Sequence, residues 1–157
     1  MKTLQLLFVL LLLSSFNSFS QRFINKNKPW VLKELRKYTD KPDTINAELK
    51  ITDTTLAIEV TSPALKIADF MYHFDAAGKC SYENVNTYCI ACFKKYLDGV
   101  LNRKKYKWKK INENQYISKY SSKMMLELPA EENKLSYRIL RTNWTRELYN
   151  LLQNQTE

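Results

Sequence analysis

The feature that most restricts the fold of this chain is a succession of short segments in which apolar and polar residues alternate. Ile45, Ala47, Leu49 and Ile51 alternate with polar neighbours, and after a turn at Asp53-Thr54 so do Leu56, Ile58 and Val60. A period of two puts every apolar side chain on one face of a strand, so these segments form a hairpin with one dry face. Pro63 interrupts the pattern. Phe70, Tyr72 and Phe74 resume it, residues 75–79 turn, and Cys80 to Thr87 reads as a fourth strand. Four more segments follow: Tyr106 to Ile111, Gln115 to Tyr120, Lys123 to Leu128 and Lys134 to Arg141, turning at 112–114 and 129–133.

Three segments carry the helical period instead. Pro29 suits a first turn, and Val31, Leu35 and Tyr38 follow at helical spacing until Asp40-Lys41-Pro42 stops them. Residues 88–102 give the clearest helix. At 100° per residue Cys89, Ile90, Phe93, Tyr96, Leu97, Val100 and Leu101 share a face, opposite Lys94, Lys95 and Asp98, with Asn86 or Thr87 as cap. The last helix, capped by Thr142 or Asn143, carries Trp144, Leu148, Leu151 and Leu152 on one side.

This order of elements predicts an α+β fold, a largely antiparallel sheet with helices on one face. The alternative is a small up-and-down β-barrel with flanking helices. Sliding the chain so that Gly78 lies on Asn133 also lays Ser81-Tyr82 on Ser136-Tyr137 and Thr87 on Thr142. Either the chain is a duplicated ββββα unit, or two hairpin-then-helix segments resemble each other under a chosen offset.

The N-terminus reads as an export signal. Met1-Lys2 supplies a positive start, Leu4 to Leu13 an apolar run about half the length of a spanning helix, and Ser18 and Ser20 the small residues before a cut at Gln21. The expected organisation is a signal peptide over 1–20 and a single domain over 21–157, secreted or periplasmic, with no membrane span after cleavage. Gln21 to Lys28 reads as polar and loose. The formal charge of +9 becomes +8 on the mature chain.

Composition removes several mechanisms. Two glycines argue against a Gly-rich nucleotide loop, and one histidine weakens every imidazole-based scheme. That residue, His73, lies in a strand pattern opposite Phe70, Tyr72 and Phe74, with Asp75 on its own side, and no G-x-S-x-G or H-E-x-x-H signature accompanies it. A zinc site from His73, Cys80, Cys89 and Cys92 has suitable ligands, but their spacing matches no compact finger. No metal and no cofactor is expected, and the reading leans away from an enzyme.

Cys89-Ile-Ala-Cys92 is a C-x-x-C at a helix start, a five-residue likeness (with Tyr88) to the thioredoxin-type redox motif. Where a thioredoxin has a buried parallel strand, this chain has polar 80–87, and Pro129 suits an ordinary hairpin turn. Cys89 falls near the middle of the apolar stripe, which favours a packed structural role over catalysis. In an oxidising compartment three sulfurs allow three pairings. Cys80 with Cys92 is preferred, because it would tie a strand to the edge of the helix.

The most unusual surface feature is Arg103-Lys104-Lys105-Tyr106-Lys107-Trp108-Lys109-Lys110, six cations in eight residues. As a strand, Lys104, Tyr106, Trp108 and Lys110 would share one side and the remaining cations the other. Aromatics between cations can stack on sugars or bases. The plainer expectation is that Tyr106 and Trp108 enter the core while the cations stay in water, where they attract polyanions and discourage edge pairing. Asn143-Trp-Thr145 and Asn154-Gln-Thr156 fit the N-glycosylation pattern, and Asp43-Thr-Ile45 and Asp53-Thr-Thr55 a bacterial O-glycosylation acceptor.

The signal end Ser18-Phe-Ser20-Gln21, the Lys/Asn/Tyr-rich composition, the run Tyr72-His-Phe-Asp-Ala-Ala-Gly-Lys-Cys80 and Trp108 before a turn and strand together resemble a group of small exported Bacteroidota proteins. The resemblance implies export and brings no active residues. The expected function is a non-enzymatic binding or accessory module for an anionic glycan, lipid head group or acidic protein, and export makes nucleic acid an unexpected partner. The alternatives are a carrier of small lipophilic ligands and a thiol-disulfide protein using Cys89 and Cys92.

Overall fold

The computed structural model describes residues 22–40, 46–131 and 133–154. The export signal, the stop at Pro42, Ile45 and the tripeptide Asp43-Thr-Ile45 lie outside the described residues, as does the end of Asn154-Gln-Thr156.

Helix α1 (Lys28–Thr39) starts where Asn27 Oδ1 accepts the Trp30 amide at 3.0 Å, with Pro29 in the first turn. Four strands follow: β1 (Asn46–Ile51), β2 (Thr55–Thr61), β3 (Lys66–Phe74) and β4 (Cys80–Thr87). Helix α2 (Ile90–Leu101) leads to β5 (Lys109–Asn112), β6 (Gln115–Ile117), a 3-10 turn at Tyr120–Ser122, β7 (Met124–Glu127), β8 (Ser136–Arg141) and helix α3 (Arg146–Asn154). The anticipated sequence of one helix, then four strands and a helix twice over, is the one observed.

All eight strands form one antiparallel sheet in the order β1-β2-β3-β4-β8-β7-β6-β5. β1 and β5 are free edges, so the sheet is open and the barrel alternative does not hold. Each half is a meander of neighbours in sequence, and the halves meet only where β4 pairs with β8. The offset that lays Gly78 on Asn133 fails by one residue against this register. Val85 pairs with Tyr137, which is 2% exposed on the core face, whereas Tyr82 pairs with Leu140 on the other face and stacks on His73. An odd shift turns equivalent side chains to opposite faces.

The inner face carries Leu56, Ile58 and Val60 of β2, Phe70, Tyr72 and Phe74 of β3, Val85 of β4, Ile139 of β8 and Leu126 of β7. α1 contributes Val31 and Leu35 to this core, and α2 contributes Cys92, Tyr96 and Val100. The aromatics meet edge to face: Phe70 with Tyr96 at 5.3 Å and Phe23 with Tyr72 at 5.2 Å between centroids.

Several expectations need correction. Residues 22–28 are not loose. Phe23 is fully buried, and Asn25 N–H and Lys26 O bond the carbonyl and amide of Cys80, both at 2.8 Å, strapping the segment across the β3–β4 turn. One aromatic residue overrides the polarity around it. The cap of α2 is Cys89 rather than Asn86 or Thr87, and Ile90, assigned to the apolar face, is 76% exposed. Thr145 starts α3, its hydroxyl accepting the Leu148 amide, so Trp144 precedes the helix. Tyr149 is the buried residue of α3, while Leu148 and Leu151 are exposed. The short helix sits at the β5 edge, too far to one side for its leucine stripe to reach the core cluster.

Candidate functional site

The basic segment is not a strand over most of its length. Tyr106 N–H donates to Arg103 O at 3.0 Å, closing a turn, and Lys107 adopts φ 49°. That left-handed conformation cannot continue a ladder, so β5 begins only at Lys109. The alternating sides expected for 103–110 are therefore absent. The fate of the aromatics follows the plainer expectation: Tyr106 is 7% exposed and Trp108 packs against the core. Burial pushes the Tyr106 phenol up. Neither ring is free to stack on a ligand. Lys104, Lys105, Lys107, Lys109 and Lys110 stay exposed, Arg103 is half-buried, and Lys109 Nζ donates to the Gln153 carbonyl of α3 at 3.0 Å.

The turn has a second consequence. It carries Lys105 to the rim of a cleft of about 470 Å³, also lined by Arg22, Lys26, Lys123, Arg141 and Thr142. Four separate pieces of chain deliver these residues: the N-terminal strap, the loop after α2, the 3-10 turn before β7 and the end of β8. Among the described residues no carboxylate lines the cleft.

The five cations differ in how they are balanced. Arg22 pairs with Glu34 of α1, and Arg141 pairs with Asp75 while donating to Asn25 Oδ1 at 3.2 Å. Lys26, Lys105 and Lys123 rest instead over aromatic rings, Lys26 over Trp30 at 5.7 Å, Lys105 over Tyr106 at 5.5 Å and Lys123 over Tyr120 at 5.4 Å. None of these three forms an ion pair among the described residues. A ring face offers a weak electrostatic partner to an ammonium and no hydrogen-bond acceptor of carboxylate strength. Thr142, 8% exposed, forms part of the wall, and its hydroxyl is buried there without a hydrogen-bond partner among the described residues. Two wall residues, Asn25 at φ 66° and Lys123 at φ 47°, hold left-handed backbone. The cleft thus combines unneutralised charge with strained loops.

A second, larger cleft of about 1040 Å³ lies on the outer face of the sheet, where Asn84, Asn86, Gln115, Glu127, Lys134 and Arg138 line it. Here the charges are matched, since Arg138 donates to Glu127 through both Nε and Nη2.

The cysteines pair differently from the expectation. Cys89 bonds to Cys92, with Cα atoms 5.2 Å apart, and Cys80 is a free, buried thiol. Cys80 lies at the start of β4, fully buried, with its backbone bonded to Asn25 and Lys26 of the N-terminal strap. The correct pair was visible as the three-residue spacing, and the helical wheel misled because Cys89 is a cap outside the helix proper. His73 stacks on Tyr82 with centroids 4.0 Å apart, and burial lowers its pKa; Asp75 faces Arg141 instead of the imidazole. Among the described residues no three His, Cys, Asp or Glu side chains converge as a metal site, and two of the four zinc candidates are in the disulfide. Pro129 follows β7 in the turn toward β8. No helix of the described residues is long and apolar enough to cross a membrane.

No protein-family model, no curated protein and no solved structure matches this chain.

Proposed function

We propose that the chain is an exported, non-enzymatic binding module that holds an acidic group, a carboxylate or phosphate of an envelope glycan or lipid head group, in the cleft between Lys26, Lys105 and Lys123. The observation that carries this reading is the charge arrangement. Three ammonium groups from distant parts of the sequence converge on one concavity, with aromatic rings rather than carboxylates beneath them. The exposed lysines at 104, 107, 109 and 110 extend the positive field around the entrance. The carrier alternative is less favoured, because the aromatics it needs for a cavity lining pack against one another.

The test compares two triple variants for binding a sulfated oligosaccharide and anionic phosphatidylglycerol vesicles, measured at low and high salt. Lys26→Gln with Lys105→Gln and Lys123→Gln should weaken binding about tenfold or more, whereas Lys104→Gln with Lys107→Gln and Lys110→Gln should weaken it less. Binding should also fall with salt. Equal losses in the two variants, or salt-independent binding, would overturn the cleft as the site. The preferred probe tells glycan from lipid, and sequencing the N-terminus of secreted material checks the cut before Gln21.

A further inference from the structure

We infer that the Cys89–Cys92 disulfide is an exchangeable one, able to oxidise a dithiol on a partner polypeptide that presents an apolar segment. This goes beyond the anion-binding reading and rests on a different part of the molecule.

The two sulfurs are unequally placed. Cys92 is 3% exposed and belongs to the core cluster, whereas Cys89 is half-buried at the surface end of α2. An incoming thiolate therefore reaches Cys89 and not Cys92. Exposed apolar residues flank that cysteine in the chain. Tyr88 and Ile90, its chain neighbours, are 51% and 76% exposed, and Leu65 is 50% exposed in the turn that leads to Ile67, whose carbonyl accepts the Tyr88 amide at 3.1 Å. Scattered apolar residues are ordinary on a surface, but two exposed ones flanking the half-buried cysteine of a disulfide offer a grip for an unfolded chain. Tyr88 is held in position, its hydroxyl donating to Asp69 at 2.6 Å and Lys66 Nζ lying 5.0 Å from its ring.

The short spacing adds a second argument. A bridge between residues three apart closes a short loop, so it constrains the unfolded chain less than a long-range disulfide would. Helix position adds a third: Cys89 Sγ accepts the Cys92 amide at 3.0 Å, a contact that stabilises a thiolate released there.

The exchange balances as follows. A thiolate of the partner attacks Cys89 Sγ, forming a mixed disulfide and breaking the Cys89–Cys92 bond. The electron pair leaves on Cys92 Sγ, which takes a proton from water. The partner's second thiolate then attacks its own sulfur in the mixed disulfide and expels Cys89 as thiolate, which is protonated in turn. The partner dithiol loses two electrons and becomes a disulfide; Cys89 and Cys92 become two thiols. Each chain performs one such turnover, and a low-molecular-weight disulfide would restore it.

The test mixes the oxidised mature protein with a reduced synthetic peptide bearing two cysteines beside a Leu/Phe-rich stretch. Samples are quenched, alkylated and mapped by mass spectrometry. Cys89 and Cys92 should become alkylated together as one peptide disulfide forms per chain, several-fold faster than with a charged peptide of the same cysteine spacing. In Cys92→Ser, offered the oxidised form of the same peptide, the Cys89 thiolate should attack the peptide disulfide and hold it as a mixed disulfide, expelling the peptide's second sulfur as a thiol. A disulfide that yields only in denaturant, equal rates with the two peptides, or capture on Cys92 in Cys89→Ser to the same extent would overturn the inference. The wild-type rates decide the matter if either variant misfolds, and Lys-to-Gln changes in the basic cleft should leave them unaltered.

Discussion

Tyr72 of β3 and Glu83 of β4 stand directly opposite each other in the strand register, and both are sealed in the core at 1% and 0% exposure. The phenol is driven far above its ordinary pKa, first by burial and then by the adjacent Glu83. Burial likewise raises Tyr96 and the free thiol of Cys80. Folding therefore favours the neutral form of Tyr72, Tyr96 and Cys80.

These groups make the protein sensitive to alkali. Their pKa values are raised on folding, so the stability they contribute is complete below their unfolded values, about 8.5 for Cys and about 10 for Tyr, and declines above them. Urea midpoints should be flat near neutral pH and fall beyond about pH 9 to 10. Each fully buried group adds about 1.4 kcal/mol per pH unit to that slope. Tyr72→Phe should flatten the alkaline limb while leaving a cost near neutral pH for the lost contact with Glu83.

Thiol counting separates the two disulfide pairings. The native oxidised protein should show no thiol reactive to Ellman's reagent, because Cys80 is fully buried, and one thiol on unfolding. Pairing of Cys80 with Cys92 would instead leave the half-buried Cys89 reactive in the native state.

The N-terminal strap is energetically important. Phe23→Ala removes a fully buried ring that touches both Trp30 and Tyr72 edge-on, and should cost about 3 to 5 kcal/mol in chemical denaturation. It should also speed hydrogen exchange at Asn25 and Cys80, whose amides hold the strap to the sheet. Unchanged exchange there would mean that the backbone bonds, not the ring, retain the segment.

Sequence alternation located the strands because a half-buried sheet enforces it: Leu56, Ile58 and Val60 are buried in β2 while Ala57 and Glu59 are not. It overextended β5, where nothing in the pattern signals that Lys107 turns left-handed. The helical wheel identified Tyr96 and Val100 correctly but put Cys89, the cap, and Ile90, the exposed first residue of α2, on the buried face. Tertiary position, which a wheel lacks, also decided α3, where Tyr149 is buried and two leucines are not. The basic cleft had only half a signal. Lys105 stood out within its cluster, but Lys26 and Lys123 are brought to it by the strap and by a turn, and neither belongs to any local charge run.

The two meanders have a bearing on how the chain assembles. Every strand pairing but one joins neighbours in sequence, so each half can close locally with little loop entropy, and only the β4–β8 seam awaits both halves. A backbone nick in the exposed turn around Lys104 would leave that seam uncut, and the fragments on either side would carry complete, complementary edges with which to find each other again.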